Sequence, residues 1–422
     1  MSKSKVLYAG PYFDGEEITE AVKTLTEGAW YSAGKQVNRF EKAFSKQFGF
    51  DHSLMVNSGS SANLVMIAAL KKYYGWKDDA EIIVSVVGFP TTLNPILQNN
   101  LVPKFVDITW NDLNWNLDHV EAAITDKTVA VFSSPVLGNS YDLDRLLDIC
   151  NKNGIKYIAD NCDTLGSKWN GEYLTKHAVA ASCSFYPAHH ITTFEGGMVS
   201  SNNEEIIRLA RQFAWWGRDC YCVGECNMLA NGMCNRRFDK WLDDYDVVVD
   251  HKYVFSQIGY NLKPLDLQGS VGLVQLKKFE EIHTIRRENY KFIANLIGDL
   301  SDGIRVVGEK ECAETSWFGV PIICDNPDVK QALQQHLERN GIQTRNYFAG
   351  NLLLHPAYRS MGDPKAYPNA YDVLKHVFFM GTSPAISKDN LEYIEKTIKE
   401  FKATFPLGAD GYSVRFLSHL VE

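Results

Sequence analysis

The sequence predicts an α/β protein with a mainly parallel central sheet, helices on its faces, and a smaller C-terminal α/β domain. Two patterns carry this expectation. From Ala80 onward, short β-branched or aromatic runs alternate with helical stretches, as in a sheet assembled from strand–helix–strand units. A long helical pattern from about Asp266 to Ile297 then leads into a second, shorter set of strands and helices. The length of 422 residues exceeds the usual size of one core and suits a large unit joined to a small one.

Taken in order, the first 75 residues read as helices at Glu16–Leu25, Val37–Gln47 and Ser61–Tyr74. Strand-like runs follow at Glu81–Val87, Lys104–Ile108, Val129–Ser133 and Lys156–Ala159, with a helical stretch at Leu143–Asn153. Ala181–Phe185 and Gly197–Ser200 are two more strand-like runs. Residues 217–252 lose periodicity and hold four crowded cysteines and several aspartates, which reads as an insertion or long functional loop. The large domain is placed at residues 1–265. The long helix and small domain occupy 266–422, with strands at Ile304–Val307 and Ser316–Ile323 and helices near Val329–Asn340 and Lys388–Ala403.

Apolar residues make up 45% of the chain and charged residues 22%, ordinary values that leave material for a core. The net charge of −8 argues against a nucleic-acid binder. No run approaches the length of a membrane-spanning helix, and Met1–Val6 lacks the apolar core of a signal peptide, so a cytoplasmic protein with no membrane partner is expected. In such a compartment nine cysteines do not form a disulfide framework. Cys150, Cys162, Cys183, Cys312 and Cys324 are dispersed, mostly in apolar runs. Cys220, Cys222, Cys226 and Cys234 crowd together, which favours a metal or cluster over bridges.

Three segments offer chemistry. Asn57-Ser58-Gly59-Ser60-Ser61-Ala62-Asn63 is a small polar loop entering a helix, where free backbone N–H groups and the helix dipole attract phosphate; an ordinary N-cap has the same composition. Asp160 closes a predicted strand, at the sheet edge where ligands of open α/β folds bind; a solvated strand-end cap is the bland reading. His189 and His190 follow another strand, and adjacent residues in extended chain point apart, so at most one faces a given site; a structural histidine is the plain alternative.

Together, in order and spacing, these segments resemble the sugar aminotransferase/dehydrase family of fold-type I B6 enzymes, the DegT/DnrJ/EryC/StrS family, over nearly the whole chain. The matching residues are the Gly59-Ser60 loop, Phe89, Asp160, Ser184, Glu195-Gly196-Gly197, and Gly259 through Lys263 with Asp266-Leu267-Gln268. The resemblance implies that Phe89 stacks on the pyridine ring and that Asp160 pairs with its nitrogen. It further implies that Asp163 belongs to the cofactor-binding set, and that Ser60, Ser184 and a neighbouring subunit's Asn261 reach the phosphate. A homodimer is implied as well.

One departure is informative. The family's aminotransferases carry a lysine where this chain has His189. Imidazole offers no amine to join to pyridoxal phosphate, so the cofactor must be held without a covalent link. Pyridoxamine phosphate brings its own amine, and a histidine can then remove a proton from its methylene carbon. Dehydrases of the family share this histidine, which implies a pyridoxamine-phosphate-dependent 3-dehydrase removing the C-3 hydroxyl of a nucleotide-linked 4-keto-6-deoxyhexose.

The cysteines bear on which branch. One branch carries a 2Fe-2S cluster on the spacing C-x57-C-x-C-x7-C, and Cys162, Cys220 and Cys222 reproduce its first three positions. The fourth falls on Ala230, whereas Cys234, followed by Asn235-Arg236-Arg237-Phe238, resembles the sequence around the family's last ligand. Cys226 is its rival. Four thiolates suit tetrahedral zinc equally. The resemblance implies CDP-4-keto-6-deoxyglucose as substrate, an NADH-dependent iron–sulfur flavoprotein reductase as electron donor, and 3,6-dideoxysugar synthesis for lipopolysaccharide O-antigen. A cluster-free dehydratase drawing on glutamate, acting on GDP-4-keto-6-deoxymannose, is the alternative; a non-catalytic sugar-nucleotide binder is a third reading.

Overall fold

The computed structural model describes residues 5–28, 31–219, 237–239, 242, 244–301 and 303–404. In chain order its elements are α1 (Gly15–Glu27), α2 (Lys35–Phe48), β1 (His52–Val56), α3 (Gly59–Tyr74), β2 (Glu81–Ser85), α4 (Pro90–Gln98), β3 (Val102–Val106), α5 (Leu117–Ala122), β4 (Thr128–Ser133), α6 (Leu143–Asn153), β5 (Lys156–Asp160), β6 (Lys168–Trp169), β7 (Glu172–Tyr173), β8 (Ala180–Ser184), β9 (Gly197–Ser201) and α7 (Glu204–Ala214). After residues 217–252 come α8 (Asp266–Lys277), α9 (Phe279–Gly298), β10 (Ile304–Val306), β11 (Ala313–Glu314), β12 (Gly319–Cys324), α10 (Pro327–Arg339), β13 (Thr344–Asn346), α11 (Pro368–His376), β14 (Val377–Gly381) and α12 (Lys388–Thr404).

Local chemistry sets many of these boundaries. Asp14 and Glu17 form a capping box at the start of α1. Gly49 and Gly154 end α2 and α6 in the left-handed conformation that a residue without Cβ adopts freely. The central sheet has seven strands in the order β1-β9-β8-β5-β4-β2-β3. The pairs β2–β3, β2–β4, β4–β5 and β5–β8 are parallel; β9 runs against both of its neighbours. This is the mainly parallel sheet expected from the alternating pattern.

The second sheet, β10-β12-β14-β13, is antiparallel and packs with α9, α10 and α12 around its own core, which includes Ile293, Ile297, Val320, Ile322, Leu333, Phe378 and Ile398. Two differences from the sequence reading stand out. β1 lies within the stretch read as purely helical; its five residues pair antiparallel with β9, a partner far along the chain. The single long helix is two helices meeting at Lys278, whose amine is held by Asp14 and Glu17 of the α1 capping box. Neither Gly nor Pro marks that break, so periodicity runs through it. Within 217–252, the described Arg237 pairs with Asp250, and Arg218 bridges Phe255 just beyond the segment. Among the described residues no helix is long and apolar enough to cross a membrane.

Candidate active site

β1, β2, β4, β5 and β8 all point the same way, so the residues that follow them gather at one sheet edge. A cavity of about 310 Å³ opens there. Gly59 and Ser60 come from the start of α3, Phe89 from the segment after β2, Asp160, Cys162 and Asp163 from β5 and its turn, Ser184 from the end of β8, and His189 from the loop beyond. Eight residues singled out in the sequence therefore meet on one wall or another of a single cavity.

One end of the cavity is formed by a helix start. Ser58 caps the sixteen-residue α3, its Oγ accepting from Ser61 N at 3.1 Å. The N–H groups of the first turn precede the first intrahelical bond and carry the positive end of the dipole. Gly59 is required by close approach: a Cβ there would lie 2.8 Å from Ser184 Oγ and 3.0 Å from Ser184 Cα. Its absence lets the Ser184 hydroxyl stand beside the helix start.

Asp160, buried at the end of β5, is surrounded by donors. Asn63 Nδ2 and Thr92 Oγ1 donate to its Oδ2 at 2.9 and 2.7 Å, while Cys162 N and Ser182 Oγ donate to Oδ1 at 3.2 and 3.4 Å. These contacts hold the carboxylate in one orientation. The Phe89 ring, 54% exposed in the chain, has a free face at the mouth.

His189 lies with its ring tilted on Phe318, 5.4 Å between centroids, and its Nδ1 is 3.5 Å from Asp163 Oδ1, without hydrogen-bond alignment. Burial and the nearby Arg286 guanidinium push His189 down to about 4, so the imidazole is neutral at pH 7 and free to accept a proton. Burial and the Asp160 charge push Asp163 up to about 8, so its carboxyl carries a proton there. His190 points elsewhere: its Nε2 is 2.7 Å from Ser316 O, deep in the interior.

Other predicted residues fall outside the cavity. Asn261 is exposed, bridged through its backbone to Trp215 and bonded at its side chain by Lys263, and it does not line the cavity of its own chain. Cys220, Cys222, Cys226 and Cys234 lie outside the described residues. Cys162 does line the cavity, its thiol pushed well up by burial and by Asp160, and among the described residues no group of three or more metal-ligating side chains forms.

Sequence reasoning missed several residues. Phe318 arrives from the segment before β12, where Phe318 N donates to Leu137 O at 3.0 Å. Arg286, 1% exposed on α9, donates from Nη2 to His189 O at 2.9 Å and from Nη1 to Trp317 O at 3.3 Å. Nothing local distinguishes either from core or surface residues, whereas Asn63 stood inside the polar loop motif.

A seven-stranded sheet of this topology, with a ligand cavity at its strand ends and an antiparallel small unit closing over it, defines a fold-type I architecture. The family model of the DegT/DnrJ/EryC1/StrS aminotransferase family matches residues 13–399, and the chain belongs to that family. It is 33% identical over 404 residues to the lipopolysaccharide biosynthesis protein RfbH of Salmonella typhimurium, covering 93% of this chain and 91% of that one. It is 36% identical over 403 residues to the dTDP-4-dehydro-2,6-dideoxy-D-glucose 3-dehydratase of Saccharopolyspora spinosa, covering 94% and 86%. Among solved structures, the Escherichia coli GDP-4-keto-6-deoxy-D-mannose-3-dehydratase with bound hydrated PLP superimposes with a TM-score of 0.80 at 28% identity, covering 94% of this chain and all of that one.

Proposed function

We propose that the chain is a pyridoxamine-phosphate-dependent dehydratase that removes the C-3 hydroxyl of a nucleotide-linked 4-keto-6-deoxyhexose. The observation that carries the reading is His189: its imidazole faces the cavity at the position that the family resemblance assigns to the aminotransferases' lysine, and no lysine lines the cavity among the described residues. Support comes also from relatives named as sugar 3-dehydratases.

The residues fit a B6 cofactor. The Ser58–Ser60 cradle, which a Cβ on Gly59 would fill, suits a phosphate; Asp160 suits a ring nitrogen, and Phe89 a ring face. When bound, pyridoxamine phosphate supplies an amine to join the keto sugar and a ring that draws electrons from its methylene carbon. His189 takes the proton from that carbon. Once His189 is charged, the adjacent Asp163 ionises more readily, so the pair spreads the charge across both groups. Phe318 and Phe348 narrow the cavity and limit water around the imidazole. Incubation with pyridoxamine phosphate and nucleotide-linked 4-keto-6-deoxyhexoses tests the reading: loss of the C-3 hydroxyl is expected, and an amino sugar as the sole product would refute it.

Replacing C–OH by C–H is a two-electron reduction, and likeness to a GDP-4-keto-6-deoxymannose-3-dehydratase solved with a trapped PLP-glutamate geminal diamine favours glutamate as the amino donor that restores the cofactor amine. Cys162 favours a second reading. It lies in the cavity two residues from Asp160, a Cα separation of at most about 7 Å. A 2Fe-2S centre on Cys162, Cys220, Cys222 and Cys234 would sit within electron-transfer reach, with a flavoprotein reductase as donor and CDP-4-keto-6-deoxyglucose as substrate. On this second reading, protein purified without oxygen contains equimolar iron and sulfide, lost in Cys162→Ser. Metal-free active protein leaves the glutamate route.

The site is also proposed to be shared in a homodimer. Asn261 sits amid exposed apolar side chains, Tyr253, Phe255 and Ile258 at 74%, 53% and 97%, a surface suited to a second subunit. Mixing inactive Asp160→Asn with inactive Asn261→Ala chains should restore part of the activity, because one of the two sites then carries neither defect. No recovery after verified subunit exchange would place each site within one chain.

A further inference from the structure

We infer that Asn63 and Thr92 are positioning residues that act through a single oxygen of Asp160 and hold the three parts of the cofactor site in register. The inference rests on the proposed B6 chemistry and goes beyond it; Thr92 also borders the cavity, whereas Asn63 does not.

Asn63 is fully buried on the second turn of α3, the helix whose first turn forms the anion cradle. Its Nδ2 donates to Asp160 Oδ2 at 2.9 Å and to Thr91 O at 3.1 Å. Both partners accept only, so turning the amide over would set oxygen against oxygen twice; the orientation is locked. Its own Oδ1 is buried without a partner among the described residues, which is costly and is tolerated here for the sake of those two donations. Thr92, 4% exposed, donates to the same Oδ2 at 2.7 Å. It stands three residues after Phe89, the N-cap of α4.

One carboxylate oxygen thus ties three pieces together, α3 and α4 being joined directly as well through Asn63 Nδ2 and Thr91 O. The α3 start would grip phosphate, Phe89 ahead of α4 would cover the ring, and Asp160 at the end of β5 would meet the ring nitrogen. Hydrogen bonds to a charged acceptor are the stronger kind, and here both lie out of water.

The test is pyridoxamine phosphate titrated into the full chain, followed by its absorbance and by protein fluorescence. Asn63→Leu and Thr92→Val keep shape but lose the donor, and each should weaken binding about 10- to 100-fold. Thr92→Ser retains the hydroxyl and should bind as the wild type does. In an Asp160→Asn background, Asn63→Leu should add little, because its effect runs through that carboxylate; a purely structural role gives additive losses instead. Wild-type affinity in both single variants, or additivity in the double, overturns the inference. If Asn63→Leu does not fold, the Thr92→Val and Thr92→Ser pair decides alone. Wild-type protein that fails to bind pyridoxamine phosphate refutes the proposed function first and this inference with it, a result distinct from unequal binding among variants.

Discussion

Replacing His189 with Asn should slow release of the cofactor's methylene proton by about 100- to 10,000-fold, the usual contribution of a general base. Binding of pyridoxamine phosphate should change little, because Asp160, Phe89 and the α3 cradle do the holding. The contrast is His190→Asn. That ring is buried, and its Nε2 contact with Ser316 O secures the segment before β12, so the change should lower the melting temperature before it alters chemistry. Deuterium uptake from solvent into the methylene position measures the first effect, and thermal unfolding the second. Normal exchange in His189→Asn with lost exchange in a folded His190→Asn would show that the wrong histidine had been chosen.

Gly59→Ala should damage both binding and stability. The added Cβ meets Ser184 at its Cα as well as its hydroxyl, and β8 is a central strand that has no room to yield. Relief requires the start of α3 to move away, which opens the anion cradle. Overpacking of this kind costs on the order of 1–3 kcal/mol of stability. The phosphate ester should suffer more than the unphosphorylated amine. Comparing pyridoxamine phosphate with pyridoxamine by titration checks this: an equal loss for the two would show that Gly59 does not serve the phosphate.

Much of the site was legible before folding was considered. The Gly59-Ser60 loop, Asp160 and the His189-His190 pair stood out from their local sequence, Phe89, Asp163 and Ser184 were named through the family resemblance, and of these all but His190 line one cavity. The locally read ones were legible because each sits next to a strand end or helix start, and strand ends of a parallel sheet share an edge. Part of the contribution from beyond residue 265 was not legible. Phe318 and Arg286 reach His189 from more than ninety residues away, and neither position carries a local pattern that sets it apart.

The amino-acid sequence by itself determined the α/β alternation, the capped helices and the polar loop at the start of α3, because these depend on neighbours in the chain; the exchange of lysine for histidine came with the family resemblance. Tertiary structure alone decided that β1 joins the sheet against β9 and that the long helical pattern breaks where Lys278 meets Glu17. It alone brought Asn63 and Thr92 onto one oxygen of Asp160. Contacts between residues 68 and 97 positions apart leave no period in the chain; they form only when the sheet edge gathers its loops.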